Sequence, residues 1–373
     1  MSSVSQTGGE VLPYAPDPSF KYIRFNSSAS GKLTVTSPMQ VDVLVVAGGG
    51  GGGGTYGSGG GGGGVLYSQS VTLSTGEYSV SVGGGGAGGV GYVCGVHGGN
   101  SQVATGGTPL FLAYGGSGGG AYMCAEAVSS DGRSGGGGGV DTSFPPPNVN
   151  VGTRPGGTGV SGQGTSGCAS YSLFNRPAGT WSGYGGGGGG AASSGCSTRH
   201  GGAGRYTNIT GDLISYGDGG GGMGKGTPYA YVYGLGGNGN GGVGYWESQY
   251  PTRGVAGTHS GTPSTGGGGG GGIWYPYYEG GSGGSGVVIF RVPAAALVSS
   301  PIAVCYIGYY AVNLTVCVEC PIGSICATTG LTTPTPCPAG TYGTGVGRTS
   351  AEGCTACGAG TYSTSLGLTA AQS

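Results

Sequence analysis

"VDVLVVAGGGGGGGTYGSGGGGGGVLY" occupies residues 41–67. An almost unbroken apolar run enters a tract that is nearly pure glycine and leaves it in a second apolar run. VDVLVVAG reads as a central strand buried on both faces, and GVLYSQSVTL after the glycines reads as another strand. Between two core strands, a chain without side chains must either loop freely or make its own backbone the packing element.

Composition bears on that choice. Glycine supplies 101 of 373 residues, far above its ordinary share of roughly 7%. Each glycine that is ordered costs more backbone entropy than any other residue, and glycine-rich chains often serve as linkers. Against that, only 7% of residues are charged while 36% are apolar, whereas disordered chains are charge-rich. The apolar residues are also clustered. Glycine segments in an extended three-fold helix lack Cβ atoms, so they can lie side by side and bond backbone to backbone. Mobile glycine loops on a small sandwich are the alternative, and sequence leaves both open.

Outward from the opening stretch, KYIRF (21–25), GKLTVTS (31–37), EYSVSVG (77–83), TGGTPLFLAYGG (105–116) and GVVIFRV (286–292) read as strands. Leu33 and Val35 alternate with threonines, and Tyr78, Val80 and Val82 with serines, giving period two. Residues 117–285 carry few strand signals and several glycine runs, such as 135–139, 185–190 and 266–272. Residues 1–20 read as a Pro/Ser-rich lead-in. Helical periodicity is absent. The expected fold is all-β: a β-sandwich-like scaffold with packed polyglycine segments at 21–293, a linker at 294–304, and a small disulfide-rich region at 305–373.

The ordered series VDVLVVAGGGGGGG, GGNSQVATGGTPLFLAYGGSGGG and GGSGGSGVVIFRV resembles the glycine-rich domain of bacterial, phage and algal surface proteins. More distantly, it is similar to the glycine-rich region of anaplastic lymphoma kinase-type receptors. The resemblance implies a β-scaffold carrying packed glycine helices, in fibres, adhesins or receptor ectodomains. It carries over no binding residue.

Seven of the eleven cysteines lie in the last region: Cys305, Cys317, Cys320, Cys326, Cys337, Cys354 and Cys357. CPAGTYGTG at 337–345 recurs as CGAGTYSTS at 357–365, and CYIG (305–308) and CPIG (320–323) echo the same Cys-x-x-Gly start. On this period the next first cysteine falls just past residue 373, so the array is expected to continue. Small cysteine-dense modules need cross-links to fold. The C-x-x-C pairs at 317/320 and 354/357 could hold zinc. Their wide separation and the leftover Cys326 and Cys337 favour disulfides, with no metal expected. The repeat resembles the cysteine-rich repeats of ephrin-receptor ectodomains, relatives of EGF-like modules. That likeness implies extracellular spacers, disulfide-bonded within each repeat, with Cys337 joined to Cys354. Cys326 has no equivalent in the later copy. Cys94, Cys124, Cys168 and Cys196 in the glycine region are further disulfide candidates and allow three pairings.

Little points to catalysis. Matches to G-x-G-x-x-G arise from composition alone, and GGGGMGKGT lacks the Ser or Thr that should follow Lys225 in a phosphate loop. No cofactor is expected. His97, His200 and His259 lie in Gly/Ser loops, and no serine has a nucleophile motif around it, so no enzyme is expected. A net charge of −1 without a basic cluster argues against nucleic acid. The N-terminus has no basic or apolar leader, which suggests a fragment, a mature form or a virion protein. Residues 292–318 are uncharged, but prolines and cysteines spoil them as a membrane span.

Tyrosine is abundant, at 25 residues. PYAYVYG (228–234) and IWYPYYEGG (273–281) place Tyr229, Tyr231, Tyr233, Trp274, Tyr275, Tyr277 and Tyr278 as a contact surface for a glycan or a protein, or as packing against glycine helices. Asn26, Asn208 and Asn313 stand in glycosylation sequons. Together these readings lead to an extracellular, virion- or cell-surface structural protein forming a rigid fibre, wall or appendage. It would associate with itself or other surface proteins. The alternative is an adhesin or receptor ectodomain binding glycans or a protein through its tyrosine-rich loops.

Overall fold

The computed structural model describes residues 4–26, 31–122, 124, 134–139, 150–175, 180–194, 199–225, 231–244, 259–272, 279–297, 305–313, 316–329, 331–362 and 365–372. The chain divides into two units, Met1–Leu297 and Val298–Ser373. No α-helix occurs among the described residues.

In chain order, the first unit contains β1 (Val4–Thr7), β2 (Glu10–Pro13), β3 (Phe20–Asn26), β4 (Gly31–Val35), β5 (Met39–Val46), β6 (Val65–Leu73), β7 (Gly76–Ser81), β8 (Ser101–Thr105) and β9 (Thr108–Ala113). It continues with β10 (Asn150–Gly152), β11 (Tyr171–Asn175), β12 (Thr180–Tyr184), β13 (Arg205–Thr207), β14 (Ile214–Tyr216), β15 (Met223–Lys225), β16 (Tyr231–Tyr233) and β17 (Val287–Pro293). Two five-stranded antiparallel sheets, β1-β4-β7-β8-β9 and β2-β3-β17-β5-β6, form a sandwich. Val41, Val43 and Val45 of β5 point into it, against Phe25, Leu33, Val80 and Phe290. Phe25 and Phe290 meet edge to face with centroids 6.1 Å apart.

The other face of β5 is covered as well. Leu44 and Val46 pack with Val65, Val287, Ile289, Ile209 and Tyr216, the last within the β13–β14 hairpin, paired with Arg205. This second layer explains why VDVLVV lacks polar alternation: successive side chains reach opposite faces, and both are buried. Burial pushes the Tyr216 phenol up to about 12, with Tyr22 adding to the effect.

Two sequence expectations are corrected. Residues 1–20 are no lead-in: β1 pairs with β4 and β2 with β3, and Val4 is fully buried. Pro13 sits in the edge strand β2, where its missing N–H is tolerated. Residues 117–285, poor in strand signals, supply β10–β16. Five of these strands form a third sheet, β10-β11-β12-β15-β16. They are three to five residues long, too short to display a period.

The glycine runs leave and re-enter the sandwich at strand ends. Segment 47–54 continues β5, and 58–64 returns to β6. In 47–54 the hydrogen bonds recur every third residue. Gly48 and Gly51 donate to Gly99 and Val96, Gly49 and Gly52 to Gly284 and Gly281, and Gly50 and Gly53 to Gly61 and Ser58, all at 2.9–3.0 Å. The carbonyls receive in the same rhythm. Gly86 and Gly89 donate to Gly49 and Gly52, Gly116 and Gly119 to Gly48 and Gly51, and Gly269 and Gly272 to Gly50 and Gly53. Three neighbours accept and three donate, so this segment has six.

A three-residue turn with bonds only to neighbours is the extended polyproline-type helix, here with other backbones in place of water. Segment 58–64 is enclosed likewise. It donates to 114–120, 185–190 and 266–272, and receives from 47–54, Gly137 and Gly220. A seven-residue segment spans about 22 Å at a rise of ~3.1 Å. A Cβ on Gly48, Gly50 or Gly53 would overlap the carbonyl oxygen of Gly84, Ser117 or Gly120. The packed-helix reading therefore holds.

Peripheral segments need less glycine. In 95–99, Cβ atoms on Gly95 and Gly98 would strike the Gly51 and Gly48 oxygens, whereas Val96 and His97 between them are exposed. The requirement falls from every residue to every third as neighbours are lost. At the end of the bundle remote from the sandwich stands the third sheet. Met223 of β15 donates to Gly57 at 2.8 Å, and Gly185, next after β12, donates to Met223 at 2.9 Å.

Among its described residues the Val298–Ser373 unit has no large apolar core, and it is stapled by Cys305–Cys317, Cys320–Cys326 and Cys337–Cys354. It is a tandem repeat. The N–H groups of Cys320, Cys337 and Cys357 donate to the carbonyls of Gly308, Gly323 and Gly340. Those three glycines, and Gly360 in the last copy, have φ of 93°, 78°, 86° and 84°, which is why each Cys-x-x-Gly start ends in glycine. Short pairs recur as β18 (Tyr309–Asn313) with β19 (Val316–Glu319), β20 (Ser324–Ile325) with β21 (Thr335–Pro336), and β22 (Thr341–Tyr342) with β23 (Thr355–Ala356).

Candidate functional site

Three excursions of the chain converge at the far end of the bundle. The turn at 55–57 joins the two interior helices, the turn at 90–94 joins 83–89 to 95–99, and residues 121, 122 and 124 follow segment 115–120. Thr55 N–H donates to Gly91 (2.7 Å), Gly54 N–H to Val93 (3.1 Å), and Tyr122 N–H to Thr55 (3.0 Å). Cys94 and Cys124 are disulfide-bonded. The Tyr122 ring lies 6.4 Å from that of Tyr56 and 5.5 Å from that of Tyr92. Around this cluster Val90, Tyr92, Val93 and Val96 are each more than half exposed. An apolar tip is thus presented to solvent on a cross-linked, hydrogen-bonded base. Single exposed apolar residues are common, but a contiguous group is a candidate contact surface.

The tyrosines singled out by sequence are described only in part. Tyr231 and Tyr233 lie in β16, paired with Lys225 and Met223, in the third sheet at the same end of the bundle. Tyr229, Trp274, Tyr275, Tyr277 and Tyr278 lie outside the described residues. Tyr171 and Tyr184, which sequence reasoning passed over, face each other across β11 and β12 and stack at 5.5 Å. Their separation in sequence gave no sign of the pairing.

The histidines do structural work in the bundle, where sequence placed them in plain loops. His97 Nδ1 accepts the N–H of Gly118 and His200 Nδ1 that of Leu235, both at 3.0 Å. The ring nitrogens of His259 lie 3.1 Å from the Val243 oxygen and 3.0 Å from the Glu279 oxygen. Each ring stands where another glycine helix would otherwise supply the partner. Burial, and then the Arg199 charge, hold the His200 pKa below its ordinary value.

Among the described residues one carboxylate, that of Asp218, is fully buried. Asp218 Oδ1 accepts the N–H of Gly204 at 2.7 Å and the Ser215 hydroxyl at 3.0 Å. Asn238 and Asn240 bond to Ser215 from the other side. Burial raises the Asp218 pKa, and these hydrogen bonds offset part of the rise. The group ties the β13–β14 hairpin to the bundle. Among the described residues, no set of three or more His, Cys, Asp or Glu is placed to hold a metal ion.

The remaining predicted positions are scattered. Cys168 is buried, with its Sγ 3.5 Å from the Ser194 oxygen, and Cys196 lies outside the described residues. Cys357 is not in a disulfide. Asn208 is exposed beyond β13, Asn26 accepts the Ser264 hydroxyl at 3.3 Å, and Asn313 ends β18. No helix among the described residues is long and apolar enough to cross a membrane. Disulfides of this number form and persist in oxidising compartments.

A family model described as a glycine-rich domain matches residues 27–293. No curated protein matches the chain.

Proposed function

The chain belongs to the glycine-rich domain family over residues 27–293, and on that footing we propose that it is a structural component of an extracellular, cell-surface or virion-surface assembly. The bundle serves as a rigid spacer between the sandwich and the far-end tip. The observation that carries this reading is the six-neighbour enclosure of segments 47–54 and 58–64. A bundle whose interior segments are bonded laterally to six neighbours resists bending and denies proteases an extended strand, and neither property requires a ligand. The cysteine-rich unit, similar to ephrin-receptor and EGF-like repeats, would serve as a spacer module of its own outside the cell. Its three internal disulfides support that placement.

The test is assembly. Oxidised full-length protein examined by sedimentation velocity and negative-stain electron microscopy is expected to form regular oligomers or fibres without added ligand. A monodisperse monomer at all concentrations overturns the assembly role. A second reading, an adhesin or receptor ectodomain, is favoured by the exposed Val90, Tyr92 and Val93. It expects a monomer with saturable partner binding that Tyr92→Ser weakens.

A further inference from the structure

The outer face of the second sandwich sheet carries a polar site away from the bundle tip. Cross-strand register places Tyr22, Arg291 and Asp42 in one row of β3, β17 and β5. The Arg291 guanidinium is ion-paired with Asp42 and donates to the Tyr14 hydroxyl at 2.8 Å. It lies 5.0 Å from the Tyr14 ring centroid and 5.9 Å from that of Phe20. The Arg291 and Asp42 side chains are only 17% and 13% exposed.

Beside Asp42, strand β6 is bulged: the register shifts between Val41 and Val43, whose partners are Val71 and Ser68. Gln69 and Ser70 therefore stand opposite one residue. Ser70 takes φ of 52°, a left-handed conformation that is costly for a non-glycine residue. The Asp42 carboxylate holds it there, accepting the Ser70 N–H at 2.8 Å. Bulges recur where a side chain must be re-aimed beside a site. Phe20, Gln40, Asp42, Gln69, Ser70 and Arg291 border an open cleft of about 420 Å³, within the usual range for small-molecule sites.

We propose that this cleft binds a neutral saccharide unit. The two formal charges cancel, so nothing selects an ion. What is left is a dense mixture of donors and acceptors: the guanidinium N–H groups beyond the two already used, two side-chain amides, a hydroxyl, and the remaining carboxylate lone pairs. A sugar hydroxyl is both donor and acceptor, and matches such a mixture where a carboxylate or phosphate matches half of it. The Phe20 ring and Pro293 add apolar surface for the C–H face of a pyranose. An ion pair serving only to pin the N-terminal strands would use Arg291, Asp42 and Tyr14. It would have no need of Gln40, Gln69 and a bulge that holds Ser70 in a costly conformation. The site lies on the sandwich, so it stands apart from the assembly reading.

The experiment is a calorimetric titration of oxidised full-length protein. The probes are a panel of neutral oligosaccharides of glucose, galactose, mannose and N-acetylhexosamine units, with a sulfated heparin disaccharide as the anionic comparator. At least one neutral probe is expected to bind saturably, and at least tenfold more tightly than the heparin disaccharide. The double variant Gln40→Ala/Gln69→Ala should lose at least tenfold in affinity with an unchanged thermal midpoint, because both side chains are exposed. Absence of saturable binding across the neutral panel, a smaller loss in the double variant, or preference for the anionic probe overturns the proposal.

Discussion

Gly50 donates its N–H to the carbonyl of Gly61 at 2.9 Å, joining the outgoing and returning arms of the hairpin that links β5 to β6. Each arm is more than two turns of extended helix, and each is enclosed by other backbones. A Cβ on Gly50 would overlap the Ser117 carbonyl oxygen, which itself accepts from Gly61 at 2.8 Å. That oxygen cannot withdraw without breaking its own bond. Gly50→Ala is therefore expected to cost about 3 kcal/mol or more. Gly84 is the control: a Cβ there meets open space, and its φ lies outside the left-handed region. Gly84→Ala should gain ~0.4–1 kcal/mol by restricting the unfolded chain. Denaturant midpoints of the two oxidised variants read both effects.

The Cys94–Cys124 bridge closes a separation of 30 residues. On the chain-entropy account its removal costs about 3–4 kcal/mol. Cys94→Ser/Cys124→Ser should raise amide exchange at 90–94 and 121–124 first, while strands β5 and β17 keep their protection. Equal loss of protection throughout would mean the tip and the sandwich open as one unit.

Stability should depend on pH through His200. Its neutral ring accepts the Leu235 N–H, and its pKa is held down by burial and by Arg199. The unfolded chain then binds more protons than the folded one in this range, so stability rises with pH. The contribution is complete above the unfolded value of about 6.5 and is lost as pH falls below that, through the folded pKa. Against His200→Asn, whose side chain does not titrate, the wild type should weaken on acidification through this window. Parallel pH profiles of the two would remove His200 as the cause.

Asp218 should show the opposite slope. Burial raises its pKa, so the folded state binds the proton more tightly than the unfolded chain. Stability then falls as pH rises from about 3.9 through the folded pKa. Asp218→Asn keeps an acceptor for Gly204 and has no charge to bury, so its advantage over wild type should grow across that interval. Asp218→Ala orphans the Gly204 N–H and should cost ~1–3 kcal/mol. Denaturation midpoints at stepped pH distinguish the three.

How much was legible in sequence follows from the forces involved. Strands with side chains facing a core announced themselves: VDVLVV, EYSVSVG and GVVIFRV all lie in the sandwich. The closing strand GVVIFRV also carries Arg291, yet a lone arginine in an apolar run gave no hint of its pairing with Asp42, 249 positions away. The short strands β10–β16 are not legible because three to five residues are too few to display a period. The bundle was legible as a composition but not as an arrangement. A finer reading was available in G-V-H-G at 95–98, where glycine persists at every third position; that spacing marks a peripheral segment.

The enclosure of the glycines at 48–53 reaches into the gene. Glycine is encoded by GG followed by any base, so only the third base of each interior codon can drift without consequence. Every missense change at the first two bases brings in a residue with a Cβ, which this lattice has no room for. Mutation at these positions should therefore be either silent or purged, with almost nothing between, while codons for exposed residues such as Ala87 and Val96 remain open to change.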